Sequence, residues 1–285
     1  MLERLRRTEL STRPLGQVLV ANLALSIDYA FPRKTEIVVE GWENLPQDRG
    51  VFLAMNHTDR YNYWPFQYRN YRMGGRFTAT WVKGKYFEHP AMAWFLSSTN
   101  NIPLPSRGYL VELRLREDLG RAPTSEEYRA LRDQVDAGEA PEIEADFQEM
   151  MGEVARLNRS ALEDKGLHLL VFPEGTRSRR MGRGHTGLAQ FAQHLGAAIV
   201  PIGCSGSDLC YPGNSPFSKG GRIVYRVGEP LEIDGPELGP HRVAEDFVPL
   251  TLDASRRFAQ PFQAVTDVVM ERIAELLDPE HRPVD

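Results

Sequence analysis

The sequence predicts an α/β protein: a layered domain with a central mixed β-sheet flanked by helices, preceded by an N-terminal amphipathic helical segment. Two observations point there. Short apolar runs bounded by glycine and proline alternate with longer stretches whose apolar residues recur at helical spacing. Residues able to do chemistry follow directly after two of the apolar runs, where α/β sheets present their ligand sites. With 285 residues the chain is long for one domain, yet α/β cores of this size are common. A division into an N-terminal segment, 1–34, and a main domain, 35–285, is therefore expected.

In the N-terminal segment, residues 15–31 form an apolar run broken by Gln17, Asn22 and Asp28. It lacks the cleavage site of a secretory signal. It is also too polar for a membrane span, which takes about 20 mostly apolar residues. Arg4, Arg6, Arg7 and Arg13 precede it, the charge order of a segment lying on an anionic membrane surface. A helix docked on the body of the protein with its arginines in water fits the pattern equally.

In the main domain, residues 35–40 and 51–55 read as strands separated by a turn region with Gly41, Pro46 and Gly50. Residues 76–82 alternate as a third strand, and 90–96 form a short helix. The run Ile102-Pro103-Leu104-Pro105-Ser106-Arg107 holds two prolines, which excludes a central strand; it reads as a loop delivering Arg107. Residues 111–166 are polar with helical periodicity, and Thr124 and Glu127 are spaced as a capping box. A strand at 167–172 leads into a basic loop and a helix with Leu188, Phe191, Ala192 and Leu195 on one face, stopped by Gly196. Strands at 197–202 and 222–227 and an amphipathic helix at 260–277 complete the domain.

Composition excludes several function classes. The formal net charge is −5, whereas coating nucleic acid requires an excess of lysine and arginine. No nucleic-acid partner is expected, and any anion site must be a local arginine cluster. Cys204 and Cys210 are the only cysteines, too few for a disulfide framework or a four-ligand zinc site. They read as reduced thiols, and no metal is expected.

Two strand ends carry the chemistry. After 51–55 comes Asn56-His57-Thr58-Asp59-Arg60-Tyr61-Asn62. An imidazole there can take a proton from a hydroxyl near neutral pH, and a base of this kind is helped by a carboxylate that fixes its tautomer; Asp59 is the nearest in sequence. On this motif alone, Asn56 and Asp59 read equally as turn and cap residues. After 167–172 comes Glu174-Gly175-Thr176-Arg177-Ser178-Arg179-Arg180. Gly175 permits a tight turn with inward backbone amides, Thr176 offers a hydroxyl, and Arg177 can grip a phosphate with paired N–H donors. Arg180 and Arg183 read as a solvated charge run.

Together these pieces resemble the glycerolipid acyltransferase family, the 1-acyl-glycerol-3-phosphate acyltransferases and their relatives. The resemblance runs from about Glu36 to Val227. Val39 to Pro46 is similar to the family's lead-in, and Asn56-His57 to its first motif, a histidine followed by four residues and an aspartate. Ile102 to Arg107 is similar to the second motif, Phe172 to Ser178 matches the third in full, and Val200-Pro201-Ile202 is similar to the fourth. The resemblance implies that His57 deprotonates a hydroxyl of a lysophosphatidic-acid or related glycerophospholipid acceptor. That hydroxyl attacks the thioester of acyl-CoA or acyl-carrier protein, which is a co-substrate; no cofactor is implied. Arg107 and Arg177 would hold the acceptor phosphate, with Glu174, Gly175 and Thr176 shaping the pocket. It further implies a role in phospholipid biosynthesis, in the cytoplasm at the inner face of a membrane.

Two positions depart from the family pattern. The motif aspartate is replaced by Asn62, with Asp59 expected to substitute for the missing charge. His185 precedes Thr186-Gly187 where relatives often carry lysine. The first departure keeps an alternative open: a family member that binds phospholipid or acyl carrier without turnover. Other classes fit less well. Gly182-Arg183-Gly184-His185-Thr186-Gly187 has dinucleotide-binding spacing but lies ten residues past Phe172, too far from the strand end for that use. Gly203-Cys204-Ser205-Gly206-Ser207 ends in the wrong residue for a serine-hydrolase elbow. The remaining histidines, His89, His168, His194, His241 and His281, form no ligand set in the sequence.

Overall fold

The computed structural model describes residues 1–284. Its strands are β1 (Thr35–Glu40), β2 (Phe52–Met55), β3 (Thr78–Lys83), β4 (Asn101–Leu104), β5 (His168–Val171), β6 (Ile199–Ser205) and β7 (Gly221–Val227). They form one seven-stranded sheet in the order β1-β7-β6-β2-β5-β3-β4. Pairing is parallel throughout except between β6 and β7, so the sheet is mixed as the sequence predicts. The central strands β2 and β5 are buried along their whole length, because a parallel sheet between two helical layers is apolar on both faces.

Alternation along β2 divides the core. Phe52 and Ala54 join one layer with Phe147, Met151, Phe191 and Val265. Leu53 and Met55 join the other with Phe66, Tyr211 and Tyr225. The first layer is covered by helices Arg107–Leu119, Ser125–Ala137, Pro141–Arg159, Gly187–Leu195 and Ala259–Glu275. The second is covered by helix Tyr63–Arg72 and the N-terminal helical segment 15–28. Thr124 and Glu127 form the expected capping box, each satisfying the other's backbone N–H.

The loop expected at 102–107 is corrected in its first half. Residues 101–104 are the edge strand β4, paired only with β3. Pro103 lacks a backbone donor, which an edge strand tolerates because one side of it has no ladder to complete. Residues 1–34 are packed into the body: Leu5 and Leu10 are buried in the first layer, Leu25 and Tyr29 in the second. Arg6 pairs with Glu3 and Glu149 and Arg7 with Glu3, so half of the basic cluster ahead of the apolar run is engaged within the protein. Both cysteines are buried free thiols.

The sheet also fixes how the chain leaves β2. The Asn56 side chain accepts from the Cys204 N–H at 2.7 Å and donates to the Cys204 carbonyl at 3.0 Å. A buried amide thus takes the place of one more backbone pair and ties the following residue, His57, to β6. Asn56→Ala would leave both Cys204 groups unpaired. It is expected to cost about 3 kcal/mol, read as a lower urea midpoint with an unchanged slope.

Candidate active site

β2 and β5 are neighbours, with Ala54 opposite Val171. The residues that follow them, His57 and Phe172 to Ser178, therefore emerge side by side. The His57 ring stacks on Phe172 with centroids 4.0 Å apart and planes 16° from parallel. The Glu174 carboxylate accepts from the His57 N–H at 2.7 Å through one oxygen and from the Gly182 N–H at 2.7 Å through the other. In return the Ser178 N–H donates to the His57 carbonyl at 2.9 Å. Glu174 is 3% exposed, and burial pushes its carboxyl above the usual carboxylate range despite the two amides that favour the charge. Gly175 turns the chain at φ 61°, and a Cβ there would lie 3.1 Å from the His185 ring, so no other residue serves this turn without strain.

The imidazole is oriented by Asn62. His57 Nδ1–H donates to Asn62 Oδ1 at 3.2 Å. The assignment follows from the other end of the amide: Asn62 Nδ2 donates at 2.8 Å to the Asn56 carbonyl, which can only accept. The Tyr225 hydroxyl holds the Asn62 carbonyl from behind, and Asn62 is fully buried. His57 Nε2 has no partner among the described residues, so its lone pair faces the opening. In a serine-protease triad, exchanging the aspartate for asparagine costs about 10⁴ in turnover because the wrong tautomer is held. Here the amide is turned the other way, and the tautomer is the one a base needs.

Asp59, expected to replace the missing carboxylate, does not contact the imidazole. Its oxygens accept from the Tyr61 N–H at 2.8 Å and the Thr58 hydroxyl at 2.9 Å, a local turn that takes it away from His57. Arg107 is also committed elsewhere. It begins the helix after β4 and donates to Glu144 at 2.8 and 3.1 Å and to the Leu250 carbonyl, with its guanidinium 4.5 Å from the centre of the Phe147 ring. Sequence order suggested a free arginine, and the partner residues, more than 30 positions downstream, gave no local signal.

Arg177 lies where the sequence predicts, exposed on the turn after β5. Its N–H and that of Thr176 have no hydrogen-bond partner among the described residues; successive N–H groups in a turn are a type of group able to bind an anion. The structure adds Lys83, which the sequence analysis did not single out. It ends β3 and is exposed; a lysine closing a buried strand was the available signal. Burial first, then the positive fields of Arg177 and Lys83, push the His57 imidazole down to about 4, against the raising influence of Asn62. Two cations with no ion-pair partner among the described residues therefore lie close enough to be felt by the imidazole. Among the described residues, no grouping of three or more histidine, cysteine or acidic side chains is placed to hold a metal.

The site of this α/β protein is thus an imidazole whose Nε2 has no partner among the described residues, beside two cations at adjacent strand ends of a mixed sheet. The family model described as Acyltransferase matches residues 36–205, from within β1 to the end of β6, and the chain belongs to that family. Structural comparison finds a likeness to the crystal structure of the 1-acyl-sn-glycerophosphate (LPA) acyltransferase PlsC from Thermotoga maritima. The TM-score is 0.47 and the identity 16%, covering 85% of this chain and 72% of that one. No curated protein sequence matches.

In Glu174→Gln, an amide nitrogen would face one of the two N–H donors and that bond would be lost. The thermal midpoint is expected to fall by about 5 °C, with faster hydrogen exchange at the His57 or Gly182 amide. Unchanged exchange at both would show that the carboxylate does not tie the two loops together.

Proposed function

We propose that the protein moves a fatty acyl group from an acyl thioester, acyl-CoA or acyl-carrier protein, to the hydroxyl of a lysophosphatidic-acid or related glycerophospholipid acceptor. The observation that carries this is the Nε2 of His57, its tautomer held by Asn62, beside Arg177 and Lys83, none of the three partnered among the described residues. In this reading Nε2 takes the proton of the acceptor hydroxyl as the oxygen attacks the thioester carbonyl. The tetrahedral intermediate then expels the thiolate, which recovers the proton from the imidazolium. Arg177, Lys83 and the free amides of Thr176 and Arg177 hold the acceptor phosphate. Arg107 keeps a supporting role, bracing the helix at its strand end. No cofactor takes part.

The phosphate also tunes the base. Burial first, and Arg177 and Lys83 in addition, depress the imidazole in the free protein; a bound dianion would cancel the cations' share and raise its basicity by that part when the hydroxyl arrives. The acyl chain is assigned to the aromatic cleft between segment 15–28 and helix Tyr63–Arg72, lined by Tyr63, Trp64, Tyr68 and Phe95. Tyr63 packs on Phe172 with centroids 6.1 Å apart, and Phe172 stacks on the His57 ring, so one wall of the cleft is linked to the base through two ring contacts.

A membrane surface is the proposed source of both lipids. Leu15, Leu19, Leu23, Ile27 and Phe31 are 57–74% exposed at every fourth position, with Trp94 of the neighbouring helix Pro90–Ser98 also 74% exposed. The segment mixes α turns with a central π stretch, Val20–Leu25. A four-residue step slightly overshoots an α turn and undershoots a π turn, so the stripe stays on one side. Arg13 before it and Arg33 and Lys34 after it are exposed, matching anionic headgroups. Among the described residues no helix is long and apolar enough to cross a membrane, so docking in the plane of a cytoplasmic leaflet is the arrangement proposed.

A second reading keeps the phosphate pocket without turnover, and the uncharged Asn62 beside a weakly basic imidazole favours it. Thiol release from acyl-CoA with lysophosphatidic acid separates the two. Transfer is expected, with His57→Ala lower by about 10³-fold; lipid binding with release no higher than in that variant would establish the binding protein instead. The pH profile carries a further expectation. Protonation of His57 removes the base, so kcat/KM should fall only as pH drops through about 4. Asn62→Asp supplies a charge that favours the imidazolium and should move this limb upward toward the ordinary value of about 6.5.

The docking face has its own test. Leu23→Glu should abolish co-sedimentation with vesicles containing anionic lipid while leaving transfer to a detergent-dispersed acceptor intact. Undiminished sedimentation would remove this face from the proposal.

A further inference from the structure

The site includes a contact from the far end of the chain. After helix Ala259–Glu275, residues 276–284 cross the C-terminal ends of β6 and β5. The Ser205 hydroxyl accepts from the Asp278 N–H at 3.2 Å, and Arg226 anchors the same stretch through Asp278 at 2.9 Å and the Leu276 carbonyl at 3.1 Å. His281 then enters the protein, 1% exposed. Its Nδ1 donates to the Arg179 carbonyl at 2.8 Å, its Nε2 accepts from the Gly206 N–H at 3.2 Å, and its carbonyl accepts from the Met181 N–H at 2.8 Å. Asp208 lies 3.5 Å from this Nε2 and 3.5 Å from the Arg179 guanidinium.

These contacts converge on one short stretch. Arg179 and Met181 lie within the basic turn that starts at Glu174, and Ser178 between Arg177 and Arg179 is the residue bonded to the His57 carbonyl. The turn is otherwise exposed from Gly175 to Arg180, and the Arg177 side chain has no partner among the described residues. A flexible turn would spread Arg177 over many positions, and an anion would have to order it on binding.

We infer that His281 is a positioning residue for the phosphate-binding turn: the C-terminal tail clamps Arg179 and Met181 and thereby presents Arg177 and its neighbouring amides in one arrangement. His281 touches no substrate, and it acts on acceptor binding and not on the chemical step. The inference rests on the reading that the turn binds the acceptor's phosphate.

The test uses the full chain carrying His281→Ala, His281→Asn and His281→Phe. His281→Ala should raise KM for the phosphate-bearing acceptor about tenfold, leaving kcat and the KM for acyl-CoA within about threefold. Asn offers an N–H near the position of Nδ1 and should restore most of the loss, whereas Phe fills the space and should not. Amides 177–184 should exchange faster in the Ala variant, and inorganic phosphate should slow them at lower concentration in the intact protein than in that variant. An unchanged acceptor KM in a folded Ala variant would overturn the inference. So would equal rescue by Phe, or a fall in kcat and donor affinity that simply follows the thermal midpoint. Should the intact chain transfer no acyl group, the proposed function fails separately and the exchange measurements decide: equal exchange in intact and Ala proteins, or equal sensitivity to phosphate, overturns the clamp.

Discussion

The arrangement at the centre of this molecule depends on one buried carboxylate. Glu174 binds two backbone N–H groups from separate loops, His57 and Gly182, with one oxygen each. A charged acceptor shared between two amides is worth more than neutral bonds, and it joins the two loops that leave adjacent strands. Because Ser178 returns a bond to the His57 carbonyl, the base and the basic turn move as one unit. The stacking of His57 on Phe172 and the field of Arg177 at the imidazole go with that spacing. So does the cost: a carboxylate taken out of water is displaced toward its protonated form, and only the two amides compensate.

The second constraint is electrostatic. A base backed by a carboxylate gains basicity from the neighbouring charge, whereas His57 is backed by an amide and lies within the fields of two cations. Orientation and basicity, which a carboxylate supplies together, are separated here. Asn62 supplies the first because Asn56 occupies its NH₂ group. The second is left low, about 4, first by burial of the ring and then by the two cations. Under the proposed function this makes the base sensitive to whether an acceptor is bound, a dependence that a permanent carboxylate would blunt.

The N-terminal segment carries apolar residues on both its buried and its exposed side. Its inward residues, Leu25 and Tyr29, are buried with the second layer, and the Tyr29 hydroxyl meets that of Tyr211 at 2.9 Å. Its outward leucines remain exposed beside Trp94. Exposed apolar area of this extent has no counterpart in the ion pairs that cover the opposite helices, such as Arg132 with Asp136 and Arg272 with Glu237.

Much of this was legible in the chain. The α/β class, the central strands, the capping box at Thr124, and the two loaded strand ends at His57 and Glu174 follow from periodicity, turn residues and strand-end placement, all of which act over a few residues. The edge strand β4 was obscured because two prolines exclude only a central position, and the edge is defined by neighbours far away in sequence. Asp59 lies two positions from His57 along the chain and Asn62 five, so sequence proximity favoured Asp59. Which of them meets the imidazole was decided by where Asn56, Tyr225 and the local turn hold each side chain. The pairing of Arg107 with Glu144, the nearness of Lys83 to the base and the arrival of His281 at the basic turn are likewise products of the assembled sheet. Sequence by itself determined the element types and the kinds of chemical group, because those depend on local backbone preference and side-chain identity. Tertiary structure decided which groups are spent on one another and which stay free for a ligand, because hydrogen bonds and charges are shared between segments that only packing brings together.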